Sequence, residues 1–195
     1  PFLFPLTFSS LNVKAYSEMP WLLSQSPDKR WLLLRVPSPD PKNVVIDVYD
    51  TAKLDQAPLQ IVLPTTILNS TGAGSLSALE WSSDNNHLLL QNNYQGGSEF
   101  IVLNRADPAL SFNTNRVFNA FPTSVSLRDK KIDQLYLYSQ AGSSLSLGEV
   151  ARGTLKPILS GVLAYKPIGA NLVVYVTGQN VAAGQVMARI WDNGQ

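Results

Sequence analysis

The one histidine of this chain, His87, is the side chain best suited to act as a general base near neutral pH. A Ser-His-Asp arrangement would need a nucleophile and a carboxylate beside it, and the chain contains no Gly-x-Ser-x-Gly nucleophile elbow. His87 instead opens a strongly apolar run, at the place that Trp31 takes in an earlier and similar run. The sequence therefore predicts a packing role for His87 and no catalytic residue.

Metal ligation has few candidate residues, because the chain has no cysteine and no second histidine. Asp47 and Asp50 lie three residues apart on a predicted strand, so they face opposite sides and are poorly placed to share an ion. Three further carboxylates are isolated in sequence: Glu18, Glu80 and Glu99. Folding could still bring distant carboxylates together as a glycosidase pair. We predict no metal site and no cofactor.

Phosphate and nucleic-acid binding are disfavoured by the glycine pattern and by the charge. Residues 71–75, Thr-Gly-Ala-Gly-Ser, lack the third glycine, the helix and the lysine of a phosphate-binding loop. The formal net charge of +1 provides no basic footprint for nucleic acid. A short basic cluster consists of Arg128, Lys130 and Lys131. Because Asp129 and Asp133 stand beside this cluster, we interpret it as a solvated hairpin tip.

The tryptophans are the remaining candidates for ligand contact. They are Trp21, Trp31, Trp81 and Trp191. Their large apolar rings favour a role in core packing, and we interpret them in that way. A stacking platform for glycans on an exposed rim is the alternative.

Composition and periodicity indicate the kind of fold that must position these residues. The chain has 195 residues, 45% of them hydrophobic and only 15% charged, which excludes a disordered protein. Helical periodicity is nearly absent, and short apolar or alternating runs recur between turn-forming residues. These runs are 31–36, 44–49, 59–63, 88–90, 100–103, 135–138, 172–176 and 186–191. We therefore predict an all-β, antiparallel fold.

An internal repeat organises these runs. Residues 26–34 align without a gap with residues 82–90, and two weaker copies follow. The main strands of the four units begin at Leu32, Leu88, Leu135 and Leu172, at intervals of 56, 47 and 37 residues. These intervals bracket the period of about 40–50 residues that is typical of propeller blades. The predicted units are 15–64, 76–120, 121–160 and 161–195 of one domain or fragment, with a strand in 1–14 completing a blade.

Each unit is predicted to form a four-stranded meander whose first turn contains an acidic residue. The turn residues are Asp28, Asp84 and Asp129, whose carboxylates can accept backbone N–H groups and fix the hairpin. Weaker fourth strands are predicted at 59–63, 116–118 and 155–159. The last unit ends after its third strand, so we expect an open arc with an exposed side that associates with another chain.

These units resemble the repeats of TolB-type and WD-repeat-like β-propellers. The resemblance rests on Ser-Pro-Asp at 26–28 and on the aromatic-Asp pairs at 49–50 and 191–192. The second unit keeps Trp81 and Asp84, but its third strand ends in Leu-Asn, and the third unit keeps only Asp129. The resemblance implies a β-propeller-like array of about four antiparallel, four-stranded blades, as an open or partial propeller.

A repeat architecture without an assembled chemical site favours binding over catalysis. We expect a non-catalytic module that binds a protein partner or self-associates, at or outside a bacterial cell envelope. The alternatives are the propeller portion of a larger hydrolase, either a serine peptidase or a glycosidase, and a glycan-binding propeller. No run reaches the roughly 20 apolar residues of a membrane span, since Lys166 and Pro167 interrupt the nearest candidate, 158–176.

Overall fold

The computed structural model describes residues 14–38, 40, 43–63, 66–68 and 74–193, whose strands form four antiparallel sheets. The first sheet contains β1 (Trp21–Gln25), β2 (Trp31–Val36), β3 (Val44–Asp50) and β4 (Leu59–Leu63). The second contains β5 (Ser75–Trp81), β6 (His87–Tyr94), β7 (Gly97–Asn104) and β8 (Phe112–Asn113), and the helix α1 (Thr114–Val117) follows it. In both sheets the strands are paired in chain order.

The remaining two sheets follow the same meander. The third contains β9 (Ser124–Arg128), β10 (Lys131–Ser139), β11 (Ser144–Glu149) and β12 (Thr154–Ser160). The fourth has three strands among the described residues: β13 (Val162–Ile168), β14 (Leu172–Thr177) and β15 (Met187–Asp192). Two short 3₁₀ helices, Pro108–Leu110 and Val150–Arg152, complete the elements.

This architecture confirms the predicted fold class. The described sheets are antiparallel, are stacked as an array, and do not close into a ring. The four predicted main strands are the second strands of their sheets, β2, β6, β10 and β14. A strand in residues 1–14 was predicted to complete a blade, and all of this segment except residue 14 lies outside the described residues.

The predicted fourth strand at 116–118 is wrong, because α1 occupies this position and β8 has only two residues. The Asn113 side chain accepts the Asn115 N–H at 2.9 Å and caps α1. The Asn115 amide then bonds to β7 as a strand would: its Oδ1 accepts the Phe100 N–H at 3.1 Å and its Nδ2 donates to the Ser98 carbonyl at 3.2 Å. The Asn115 side chain thus makes hydrogen bonds to β7 that the backbone of a fourth strand would otherwise make.

The core lies between the sheets rather than within any one of them. In β7, Ile101 and Leu103 pack towards the first sheet, whereas Phe100 and Val102 pack towards the third. All four side chains are fully buried. Because successive side chains of a strand point to opposite faces, a sheet between two others must be apolar on both. This explains why the strongest runs of the sequence are continuously apolar rather than alternating.

The first strands of the sheets approach one another and define the inner side of the array. β1 contacts β5, and β5 contacts β9. Each of β1, β5 and β13 shifts its register by one residue against the second strand of its sheet. Such bulges increase local twist, which suits strands that converge on a common axis.

We expect the Leu90→Ala variant to lose about 2–5 kcal/mol of unfolding free energy, because Leu90 is fully buried in the core between the first and second sheets. The matched control is Leu54→Ala, at a side chain that is 46% exposed, which should change stability by no more than about 0.5 kcal/mol. Urea unfolding followed by circular dichroism provides both values. Similar losses in the two variants would contradict the stacked core.

Candidate functional site

The first turns of the first two sheets share one hydrogen-bonded motif. In the first turn, the Ser26 hydroxyl donates to the Asp28 carboxylate, which also accepts the Arg30 N–H at 3.1 Å. The Ser26 oxygen in turn accepts the Trp31 N–H at 2.9 Å. These contacts confirm the predicted turn role of Asp28. They also lower the pKa of its carboxyl, with the Ser26 hydrogen bond as the main cause.

The second turn repeats this motif at Asp84 and adds His87. The Ser82 hydroxyl donates to Asp84, which accepts the Asn86 N–H at 2.8 Å. The other Asp84 oxygen lies 2.9 Å from His87 Nδ1. Burial raises the pKa of Asp84, but these hydrogen bonds outweigh it, and the net shift is downward.

The trio of Ser82, Asp84 and His87 has the residue types of a hydrolytic triad but not its connectivity. A triad needs the serine proton directed at the histidine, whereas the Ser82 hydroxyl is bonded to Asp84. The Ser82 residue is only 2% exposed, and its oxygen also accepts the backbone N–H of His87 at 3.0 Å. We therefore assign this trio to the turn.

The third predicted turn residue, Asp129, has a different role. Asp129 and Lys130 have φ values of 52° and 55°, as in a two-residue hairpin turn. The Asp129 carboxylate pairs with Lys131 Nζ at 3.2 Å. Its side chain is thus directed at a neighbouring cation, and Asp129 contributes to the turn through its backbone conformation.

The basic cluster at this hairpin is only partly solvated, which corrects the sequence interpretation. Lys130 and Lys131 are exposed, as predicted. Arg128, in contrast, reaches the turn between β13 and β14. Its Nε donates to the Ala170 carbonyl at 2.6 Å, and its Nη2 donates to Asn171 Oδ1 at 3.2 Å. Arg128 therefore fastens the fourth sheet to the third.

Two buried carboxylates lie within the sheets, and both have partners. Asp47 is fully buried and accepts from Lys14 Nζ at 2.6 Å, from the Tyr16 hydroxyl at 2.8 Å and from Gln60 Nε2 at 3.1 Å. Asp47 lies on the face of β3 opposite to the one packed on the second sheet. Burial, together with the hydrogen bonds to Tyr49 and Asp47, raises the pKa of the Tyr16 hydroxyl.

Glu99 is the second buried carboxylate, and it connects three strands. Its Oε1 accepts from Asn92 Nδ2 at 2.9 Å, and its Oε2 accepts from Asn113 Nδ2 at 2.6 Å. Glu80 joins two sheets, because its Oε2 accepts the Leu127 N–H at 3.0 Å. Glu18 is exposed. Within the described ranges, no group of three or more His, Cys, Asp or Glu side chains could hold a metal ion.

The tryptophans divide between packing and exposure. Trp81 is buried and donates to Ser24 Oγ at 2.8 Å, and Trp191 packs against the core between the third and fourth sheets. Two guanidinium groups lie over the Trp31 ring, whose centroid is 4.7 Å from Arg30 Cζ and 3.5 Å from Arg105 Cζ. The core role predicted for Trp21 is wrong, since this residue is 58% exposed.

The fourth sheet packs against the third with one face and exposes apolar side chains on the other. Pairing across β13, β14 and β15 places Ile168, Leu172, Val174 and Ile190 on one face, which we call the open face. The opposite face, which contains Val173 and Trp191, packs against the third sheet. On the open face Ile190 is 69% exposed and Ile168 is 50% exposed. The same pairing also places Lys166 and Asp192 on this face. An exposed and mostly apolar sheet face of this kind is a candidate interaction surface.

No protein-family model matches the chain, and no curated protein matches it in sequence. Among solved structures, oligopeptidase B from Leishmania major is similar, with a TM-score of 0.52 and 15% sequence identity. The match covers 91% of this chain and 25% of that protein, so the chain spans about a quarter of its length. Oligopeptidase B contains a β-propeller domain, and this likeness supports the propeller-like fold. No helix among the described residues is long and apolar enough to cross a membrane.

We expect the Arg30–Asp50 pair to make stability fall between about pH 4 and pH 2. Arg30 donates to both Asp50 oxygens, at 3.0 and 2.8 Å, and holds the pKa of this carboxyl at about 2. The unfolded carboxyl has a pKa of about 3.9 and binds its proton at higher pH. The contribution is therefore complete above about pH 4 and is lost as pH falls through the folded value.

The measurement is the urea midpoint of wild type, Asp50→Asn and the control Asp55→Asn from pH 5 to pH 2. Asp50→Asn should be less stable than wild type at pH 5 and approach it by pH 2. Asp55, an exposed carboxyl in the following loop, should leave the profile of wild type unchanged. A constant difference between wild type and Asp50→Asn over this range would contradict the assignment.

Proposed function

We propose that this chain is a non-catalytic, propeller-like binding module and that another protein covers the open face of its fourth sheet. The observation that carries the proposal is the exposure of Ile168 and Ile190 on a sheet whose other face is packed. In the first three sheets, the equivalent apolar faces are buried against the next sheet. Burial of the open face would complete this series.

The site geometry also supports binding rather than chemistry. The carboxylates of Asp47, Asp84 and Glu99 are bound to side chains or turn N–H groups of the fold. The His87 ring is held by Asp84 without a serine directed at it. We further propose a location at or outside a bacterial cell envelope, because the chain lacks cysteine and has few charged residues.

The second candidate is the propeller portion of a larger hydrolase. The likeness to oligopeptidase B, which spans 91% of this chain, favours it. In that case the catalytic groups would belong to a further domain, and the open face would pack within the same protein. Labelling with a serine-reactive fluorophosphonate, applied to the product of the whole gene and to this chain alone, separates the two candidates.

We expect Ile190→Glu to abolish recovery of the natural partner in affinity purification from the cells that make the protein, since a buried, unpaired carboxylate opposes docking. The matched control is Leu54→Glu, at an exposed apolar side chain in the loop between β3 and β4. Quantitative mass spectrometry should show at least a tenfold loss for Ile190→Glu and none for Leu54→Glu. Equal recovery with both variants would overturn the proposal.

A further inference from the structure

A cavity of about 420 Å³ lies where the first strands of the second, third and fourth sheets meet, and we call it the inner cavity. Its wall includes Glu80 of β5, Ser126 of β9 and Lys166 of β13. The turns that follow these three strands complete the wall. A volume of this size is within the range of sites that bind small molecules.

Hydrogen bonds between the sheets hold the wall of the inner cavity in place. The Leu127 N–H donates to Glu80 Oε2 at 3.0 Å, and the Ser83 N–H donates to the Lys130 carbonyl at 2.8 Å. These two bonds join the second sheet to the third. Arg128 fastens the turn between β13 and β14 to the third sheet. The cavity is therefore formed before any ligand binds, which reduces the entropic cost of binding.

The charges that line the inner cavity leave one lysine without a counterion. The Asp129 carboxylate pairs with Lys131 Nζ at 3.2 Å, and Glu80 Oε1 lies 3.8 Å from Lys130 Nζ. Lys166 has no ion pair with a described residue, and the residues outside the described ranges include no Asp or Glu. The cavity thus offers a cation to a ligand, while both of its carboxylates have partners of their own.

The same lining also limits the kind of anion that fits. Most of the lining surface is apolar, so a ligand with an apolar body gains from burial there. Glu80 and Asp129 line the cavity together with Lys166. Because these two carboxylates repel a second negative charge, a monoanion is favoured over a dianion such as a phosphate monoester.

We propose that the inner cavity binds a small organic carboxylate with an apolar body, whose negative charge is bound by Lys166 Nζ. The inference goes beyond the proposed function, because the occupant is a small molecule and not the protein that covers the open face. It is tested on this chain alone, so its outcome is independent of the partner experiment.

The first test compares 4-phenylbutanoate with 4-phenylbutanamide, which has the same shape and no charge. Titration of the acid into ¹⁵N-labelled protein should give saturable shifts in the amides of residues 126–130 and 166–170. The amide should bind about fivefold more weakly or less, since it cannot form a charge-assisted hydrogen bond with a lysine. No saturable binding of the acid, or equal affinity for acid and amide, would overturn the proposal.

The second test assigns the binding of charge to Lys166. Lys166→Gln should weaken binding of 4-phenylbutanoate about fivefold to tenfold and leave the weak binding of 4-phenylbutanamide unchanged. The matched control is Lys156→Gln, at an exposed lysine of β12 that does not line the cavity. Circular dichroism and the urea midpoint establish that both variants fold. Equal affinity of the two variants for the acid would overturn the role of Lys166.

The third test concerns the preference for a single charge, with phenyl phosphate as the dianion at pH 8. Wild type should bind phenyl phosphate more weakly than 4-phenylbutanoate. Glu80→Gln, whose amide oxygen can still accept the Leu127 N–H, should raise the affinity for phenyl phosphate about threefold more than that for the carboxylate. Tighter binding of phenyl phosphate by wild type would overturn the monoanion assignment.

Discussion

The structure depends on one constraint: strands that are apolar on both faces cannot be buried by a single sheet. Phe100, Ile101, Val102 and Leu103 show the constraint within four residues, because consecutive side chains enter two different cores. A sheet of such strands therefore keeps an apolar face exposed unless a neighbour lies on either side. The first sheet meets this demand in part with the cluster around Asp47, and the fourth sheet leaves it unmet at the open face.

The fold was predictable wherever the decisive interaction is local in sequence. The Ser-Pro-Asp turn at 26–28 and its copy at 82–84 form their hydrogen bonds within six residues, so the repeat and its strand order are visible in the sequence. The second strands of the sheets were identified by continuous apolar runs, which also lie within a few consecutive residues. The opposite directions of Asp47 and Asp50 follow from the alternation of a strand alone.

The remaining features depend on contacts between residues that are distant in sequence. α1 takes the place of a fourth strand because the Asn115 side chain bonds to β7 in place of a backbone ladder. No periodicity in the sequence around residue 116 indicates that a side chain takes this role. In the sequence Arg128 looks like its lysine neighbours, Lys130 and Lys131. It links the third and fourth sheets only because the β13–β14 turn lies within reach of its guanidinium. Exposure of Trp21 likewise depends on what packs beside β1. The open face became a candidate site only when pairing registers assigned side chains to faces.

The meander order has a consequence for how this protein is made. Each sheet consists of consecutive strands, so its contacts are short in sequence separation and can form while later strands are still being synthesised. A newly completed sheet nevertheless exposes one apolar face until the following sheet leaves the ribosome. During translation each sheet in turn therefore presents an aggregation-prone surface. Synonymous codon choice in the segments between sheets would set how long each surface stays exposed.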